Sequence, residues 1–191
     1  MKVLMINGSP RKDGNTASLL AIVGDELKRE GIGVESIHLG GAPLAGCRAC
    51  DGCGSLGNGR CVMDDDGFNT IFAKMVEADG IVLGSPTYFA DVTAEMKAFI
   101  DRAGYASLSN GGLLRRKVGA AVVSQFRSGS VHAFDTMNHL FTYSEMVVVG
   151  SNNWNMGLGY EKGDVKNDES GLKTMRILGA NMAWAMKRLC S

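Results

Sequence analysis

The stretch Val3-Leu4-Met5-Ile6-Asn7-Gly8-Ser9-Pro10-Arg11-Lys12-Asp13-Gly14-Asn15-Thr16 decides the reading of this chain. Four apolar residues run without alternation, which suits a strand buried on both faces. Asn7-Gly8 ends the run. Asn15 or Thr16 is then placed to cap a helix whose apolar positions Leu19, Leu20, Val23 and Leu27 share one face at 3.6-residue spacing, and Gly31 ends it. A buried strand that passes through a short polar loop into a helix is half of a β-α-β unit. It predicts a parallel sheet with helices on both faces.

The alternation continues outward. Ile32 to Leu39 reads as a second strand, and Gly40 to Arg60 has no period and reads as a loop. Asp64-Asp65-Asp66 puts negative charge where a helix dipole favours it, ahead of a helix burying Phe68, Ile71, Phe72, Met75 and Val76. Ile81 to Gly84 is the third strand, and Thr93 to Ala103 a helix with Met96, Phe99 and Ile100 inward. Val118 to Val123 is the fourth strand, His132 to Tyr143 a helix, Met146 to Val149 the fifth strand, and Leu172 to Leu189 the last helix. Most of the eleven methionines fall in helical apolar stripes and read as core. Ser151 to Ser170 is polar and reads as a long loop of functional or mobile character. With no repeat, low-complexity tract or boundary, residues 1–191 read as a single domain.

The length of 191 residues fits that reading. Twenty Lys and Arg balance twenty Asp and Glu, so nothing supports a nucleic-acid or membrane-surface binder held by charge. Hydrophobic residues at 45% and charged residues at 21% argue against disorder. No apolar run approaches the roughly 20 residues of a membrane span, and Met1 to Gly8 is too short in apolar length for a signal peptide. A cytoplasmic location is expected. His38, His132 and His139 are scattered, with no serine or carboxylate partner assignable from sequence, so a hydrolytic triad is not expected.

In an open parallel sheet, ligands bind beyond the C-terminal ends of the strands. Residues 8–16 lie there and offer a helix N-terminus with free N–H groups and partial positive charge. Ser9, Asn15 and Thr16 add hydroxyl and amide donors, and Arg11 adds a fork suited to phosphate. The Gly-Lys-Ser/Thr element of a P-loop is absent, and so is G-x-G-x-x-G, so the loop suits one terminal phosphate. An ordinary capped turn is the alternative.

Four of the five cysteines fall within fifteen residues as Cys47-x2-Cys50-x2-Cys53-x7-Cys61. In a reducing compartment such a cluster reads as metal-binding or redox-active. Three thiolates at this spacing can wrap one face of a [4Fe–4S] cluster, with Gly54, Gly57 and Gly59 letting the fourth close it. Zinc usually takes two separate knuckles. Zinc and an empty thiol loop both remain open, and Cys190 is not expected to be a ligand.

The run Gly-Ser-Pro-Arg-x-x-Gly-Asn-Thr at 8–16 resembles the FMN phosphate loop of the NADPH-dependent FMN reductase-like, flavodoxin-fold flavoproteins. Gly84-Ser85-Pro86-Thr87-Tyr88-Phe89, followed by Met96-Lys97-Ala98-Phe99-Ile100-Asp101-Arg102, resembles that family's second flavin loop and helix. The cysteine run, with Asp64-Asp65-Asp66 after it, resembles the motif of the iron–sulfur flavoproteins, a subgroup of the same family.

The resemblance implies an α/β, flavodoxin-like, doubly wound five-stranded parallel sheet of order 2-1-3-4-5 in three α/β/α layers. Residues 40–63 are then a cysteine-rich insertion. It implies FMN held by Ser9, Arg11, Asn15, Thr16, Pro86, Thr87, Tyr88, Phe89, Ser124, Arg127 and Gly129. It implies a [4Fe–4S] cluster on Cys47, Cys50, Cys53 and Cys61 that exchanges electrons with FMN. No side chain need act as nucleophile, acid or base. The implied partners are NAD(P)H, or a redox protein such as ferredoxin, and further copies of the chain in a homodimer or homotetramer. Candidate surfaces are Tyr105 to Leu114 and Ser151 to Tyr160, with Trp154 covering the flavin or buried in its own fold. Packing of an exposed loop is the alternative for residues 86–89, and a solvated charge for Arg127. The alternative function is a cluster-free NAD(P)H-dependent FMN or quinone reductase. A flavodoxin-like carrier is disfavoured by the zero net charge, and a zinc-stapled binding module by the cysteine spacing.

Overall fold

Leu4 and Ile6 join one hydrophobic cluster while Val3 and Met5 join another. β1 (Lys2–Asn7) is therefore buried on both sides, as its unbroken apolar run requires. The split recurs in β3 (Gly80–Pro86), where Ile81 and Leu83 oppose Val82. It recurs again in β4 (Val118–Gln125), where Ala121 and Val123 oppose Ala120 and Val122. The computed structural model that shows this describes residues 1–41 and 43–190. Ala42, inside the stretch read as a loop, and Ser191, the last residue of the expected domain, lie outside the described residues.

Every ladder is parallel, and the order is β2-β1-β3-β4-β5, with β2 (Gly33–His38) and β5 (Val147–Val148) at the edges. This is the doubly wound 2-1-3-4-5 arrangement expected above. One face is covered by α1 (Asn15–Arg29) and α6 (Glu169–Leu189). The other is covered by α3 (Phe68–Glu77), α4 (Ala94–Leu108) and α5 (Ser130–Tyr143). Met75, Met96, Met137, Met175, Met182 and Met186 are all fully buried, so the methionine stripes are core. Each fully buried aliphatic or methionine side chain contributes about 1.5–3 kcal/mol of transfer free energy.

Several local readings change. Neither Asn15 nor Thr16 caps α1: Gly14 is the N-cap, and no side chain bonds the free amides. Asp64 to Asp66 do lie just ahead of α3, where Asp66 Oδ1 accepts from the Phe68 amide at 3.2 Å. α4 runs five residues beyond Ala103, since Ala106 and Ser107 still bury small side chains after the large apolar ones stop. Inside the cysteine loop lies a short helix, α2 (Gly52–Leu56), whose Gly52 packs where a Cβ would meet Val62 Cγ1 at 2.5 Å.

The stretch read as one long loop after residue 150 holds β6 (Met156–Leu158) and a 3-10 turn over Asp164–Asn167. β6 pairs with the upper end of β4 while β5 pairs with its lower end. The partner of residue 118 is 147 and that of 123 is 156, so the outer strand is interrupted by a four-residue excursion. Asn155 bridges the break. Its carbonyl accepts from Val123 N at 2.9 Å, and its Nδ2 donates to Ala121 O at 3.0 Å.

Candidate functional site

The C-terminal end of β1 turns on a chain of short-range hydrogen bonds. Asn7 Oδ1 accepts from Ser9 N at 3.0 Å, and Ser9 Oγ from Arg11 N at 3.1 Å. Gly8 N donates to Gly84 O at 2.8 Å, and Thr93 Oγ1 donates to Gly8 O at 2.7 Å, which ties the loop to β3 and to the start of α4. His38 Nε2 sits 2.7 Å from Ser9 O, so this histidine braces the loop. Gly8 is required by the crowding, since a Cβ there would meet Met96 Cε at 2.7 Å. The loop is therefore fixed, and the uncapped amides that open α1 keep their full partial charge.

That helix end opens on a cavity of about 230 Å³. Ser9, Arg11, Asn15 and Thr16 line one side of it, and Pro86, Thr87, Tyr88 and Ser124 another. Eight of the eleven residues expected at a flavin thus meet in one cavity. Phe89, Arg127 and Gly129 do not line it. Phe89 is fully exposed at the corner of a tight turn in which Tyr88 and Asp91 exchange backbone hydrogen bonds. Arg127 is exposed, with its guanidinium 6.0 Å from the Phe126 ring. Gly129, at φ 86°, makes its close approach to Ala90, where a Cβ would meet Ala90 Cα at 2.9 Å.

Four further residues line the cavity: Gln125, Phe126, Gly159 and Tyr160. The Phe126 and Tyr160 rings lie 4.6 Å apart. Asn15 holds this wall in place. Its Nδ2 donates to Glu161 O at 2.9 Å, and its Oδ1 accepts from Gly163 N at 2.9 Å, while Lys162 pairs with Asp13. Residues 159–163 so form a strap latched onto the loop at 8–16. Thr16 Oγ1 and Ser124 Oγ, both buried, lie 2.8 Å apart across the cavity floor. Thr87 Oγ1 and Gln125 Oε1, from two residues of this lining, are buried and have no hydrogen-bond partner among the described residues.

A carboxylate partner for His132, not assignable from sequence, exists in the structure. Its Nε2 lies 3.6 Å from Asp91 Oδ2, and Thr136 Oγ1 donates to Asp91 Oδ1 at 2.7 Å. Burial pushes the Asp91 carboxyl up, but the Thr136 and Val92 hydrogen bonds and the nearby His132 outweigh it and hold it below the usual range. Ser130, the serine of that helix's first turn, donates to Met156 Sδ instead. Trp154 is largely exposed, with its ring 5.8 Å from Phe134.

Cys47, Cys50, Cys53 and Cys61 line one cavity against α4. Its enclosed part is about 20 Å³, and Cys47 and Cys50 are exposed on its open side. The two inner cysteines are pinned by asparagines. Asn69 Oδ1 accepts from Cys61 N at 2.8 Å, and its Nδ2 donates to Cys61 O at 2.8 Å. Asn110 Oδ1 accepts from Gly59 N at 2.9 Å, and its Nδ2 lies 3.3 Å from Cys53 O. Tyr105 OH bonds Asp51, and that hydrogen bond, helped by the carboxylate's charge, raises the phenol pKa. Among the described residues, no three His, Cys, Asp or Glu side chains are close enough to hold a single metal ion. Cys190 packs against the opposite core, so it is no part of this cavity.

The side chain that sequence reasoning passed over is Arg102, quoted above only as the end of a helix motif. It is 2% exposed, pairs with Asp66, and lines the cysteine cavity. Its signal was positional: Arg102 falls three residues after Phe99 and four before Ala106, on the buried face of α4.

A model of the NADPH-dependent FMN reductase family matches residues 1–161. The chain belongs to this family. Its relatives include an iron-sulfur flavoprotein of Methanocaldococcus jannaschii, 40% identical over 98% of each chain. Another is an iron-sulfur flavoprotein of Methanosarcina thermophila, 30% identical over 92% of this chain and 90% of that one. The fold is shared more widely. A WrbA-like flavodoxin from Agrobacterium tumefaciens matches over 98% of both chains with a TM-score of 0.68 at 16% identity. Among the described residues no helix is long and apolar enough to cross a membrane.

Proposed function

We propose that this chain is an FMN-dependent oxidoreductase in which FMN exchanges electrons with a [4Fe–4S] cluster on the cysteine loop. One observation carries the flavin part. The uncapped N-terminus of α1, with Ser9, Arg11 and Thr16, opens on the same cavity whose walls hold the orphaned Thr87 Oγ1 and Gln125 Oε1. An anion at the helix end and a polar ring edge at the orphaned atoms would satisfy every unpaired group there. Ser9, Arg11, Asn15 and Thr16 would hold the phosphate. Thr87, Tyr88, Ser124, Phe126 and Tyr160 would border the ring. The strap at 159–163, latched by Asn15, would exclude water.

The cysteine loop fits a cluster by its donors: four soft thiols on one cavity, with both ends of the loop anchored to the fold. When bound, FMN supplies paired or single electrons and the cluster moves one at a time, which lets a two-electron partner meet a one-electron partner. The chain's own share is to position both groups and tune them. Thr93, at one end of α4, touches the phosphate loop, while Ala106 lines the cysteine cavity thirteen residues on, about 20 Å along the helix. Association of copies, as homodimer or homotetramer, is part of the proposal. So are residues 1–191 as one FMN-binding domain with its insertion at 40–63, a cytoplasmic setting, and a small molecule or redox protein such as ferredoxin as partner.

Anaerobic purification followed by flavin and metal quantification tests the reading. A brown protein with one FMN and about four irons per chain supports it, with iron lost in Cys53→Ala. A yellow, iron-free protein moves the assignment to a cluster-free NAD(P)H-dependent FMN or quinone reductase. One zinc per chain, or full iron in Cys53→Ala, contradicts the ligand set.

A further inference from the structure

Arg102 is the buried cation of the cysteine site, and its bonds are unusual in where they go. Nη1 donates to Ala45 O at 3.2 Å and Nη2 to Met63 O at 2.8 Å. Those carbonyls lie two residues before Cys47 and two after Cys61, so one guanidinium fastens both feet of the cysteine loop. Asp66 pairs with the same group, and the Phe68 ring lies 4.1 Å from its carbon. One donor is left over: Nε is buried and has no acceptor among the described residues. The side chain lines the cavity that the Cys61 thiol also lines.

A buried N–H without an acceptor is costly, and a neutral thiol is a poor acceptor. A thiolate or cluster sulfur is a charged and better one. Such a sulfur gains negative charge on reduction, so a fixed N–H and a guanidinium beside it favour the reduced state. The Asp66 carboxylate offsets most of the long-range charge and leaves the short-range donor as the main effect.

We propose that Arg102 is a positioning and tuning residue of the cysteine site. It clasps the loop at both feet and, through Nε, raises the reduction potential of the iron–sulfur group bound there. This rests on the cluster reading above. Lysine cannot replace it, because an ammonium has the charge but lacks the fork that reaches two carbonyls and a carboxylate at once and still leaves an N–H free.

The test is an EPR-monitored redox titration of the anaerobically purified protein, with iron counted per chain, for wild type, Arg102→Lys, Arg102→Gln and Asp66→Asn. Arg102→Gln and Arg102→Lys are expected to lower the midpoint potential by at least a tenfold change in the one-electron equilibrium, about 59 mV. Asp66→Asn keeps an acceptor for the loop but removes the counter-charge, so it is expected to shift the potential upward. A clasp without tuning would lower iron content and leave the potential of the loaded fraction unchanged, which overturns the proposal. If neither Arg102 variant retains iron, Asp66→Asn decides: an upward shift supports the proposal and an unshifted potential overturns it. Iron-free wild type removes the cluster reading and this inference with it, whereas iron-loaded variants at the wild-type potential remove this inference alone.

Discussion

Replacing Asn69 by alanine removes the bracket that holds Cys61. Asn69 is 3% exposed and makes three hydrogen bonds of 2.8 Å: from the Cys61 amide, to the Cys61 carbonyl, and to Asp64 Oδ1. The Asp64 bond reaches an exposed carboxylate, where water substitutes readily, and it is discounted. The two backbone bonds are worth about 1 kcal/mol each net, and stranding half-buried partners keeps the loss near 2 kcal/mol. For a chain of this size that lowers Tm by about 4–8 °C. The assay is thermal unfolding of the iron-free protein under reducing conditions, with the rate of thiol modification followed in parallel. Cys61 should react faster with a disulfide reagent as its backbone loosens. A Tm within about 1 °C of wild type, with unchanged thiol reactivity, would refute the bracket.

Thr87→Val should act with opposite signs on the two states. It removes an orphaned buried hydroxyl, so the ligand-free protein should unfold no earlier than wild type, while FMN affinity, read by fluorescence quenching, should fall by about tenfold. Loss of stability in the ligand-free variant would show that the hydroxyl already has a partner. Asn15→Ala cuts both bonds to the strap at Glu161 and Gly163, and at about 1 kcal/mol each should weaken FMN binding by roughly thirtyfold, chiefly through faster release in stopped flow. An unchanged release rate would remove the strap from the account. For Asp66, burial pushes its carboxyl up, but Arg102 and two backbone amides outweigh it and hold it below 3.8. Its stabilisation is thus complete above the unfolded-state value and lost as pH falls through the lower folded-state value. Urea unfolding between pH 2.5 and 6 should show a steeper acid loss for wild type than for Asp66→Asn, and equal slopes would contradict the pairing.

Much of the fold was legible because burial on both faces leaves no room for polar alternation. β1, β3 and β4 are continuous apolar runs, and the helices that cover them repeat at 3.6 residues. β6 was not legible. It is three residues long, it contains Gly157, and its place in the sheet is set by Asn155, a polar residue serving the ladder. The loop at 8–16 was legible as a loop, but not its links to the rest of the fold: Asn15 latches a distant strap and Thr16 faces Ser124, while Gly14, not Asn15 or Thr16, takes the N-cap. Sequence did not show which aromatic of that loop faces the cavity: Tyr88 lines it, while Phe89, three positions after Pro86, is turned out to solvent. Arg102 shows the converse. A charged residue in a helix is ordinarily a surface residue, and only partners gathered from residues 45, 63 and 66 make its burial affordable.

The central claim is that a phosphate is held where β1 passes into α1, with the ring in the cavity beyond. Calorimetric titration of the flavin-free protein with FMN and with riboflavin, for wild type and Arg11→Ala, tests it most directly. FMN should bind wild type at least a hundredfold more tightly than riboflavin, about 2.7 kcal/mol, and Arg11→Ala should weaken FMN and leave riboflavin unaffected. Equal affinities for the two flavins, or an Arg11→Ala variant that binds FMN as wild type does, would contradict it.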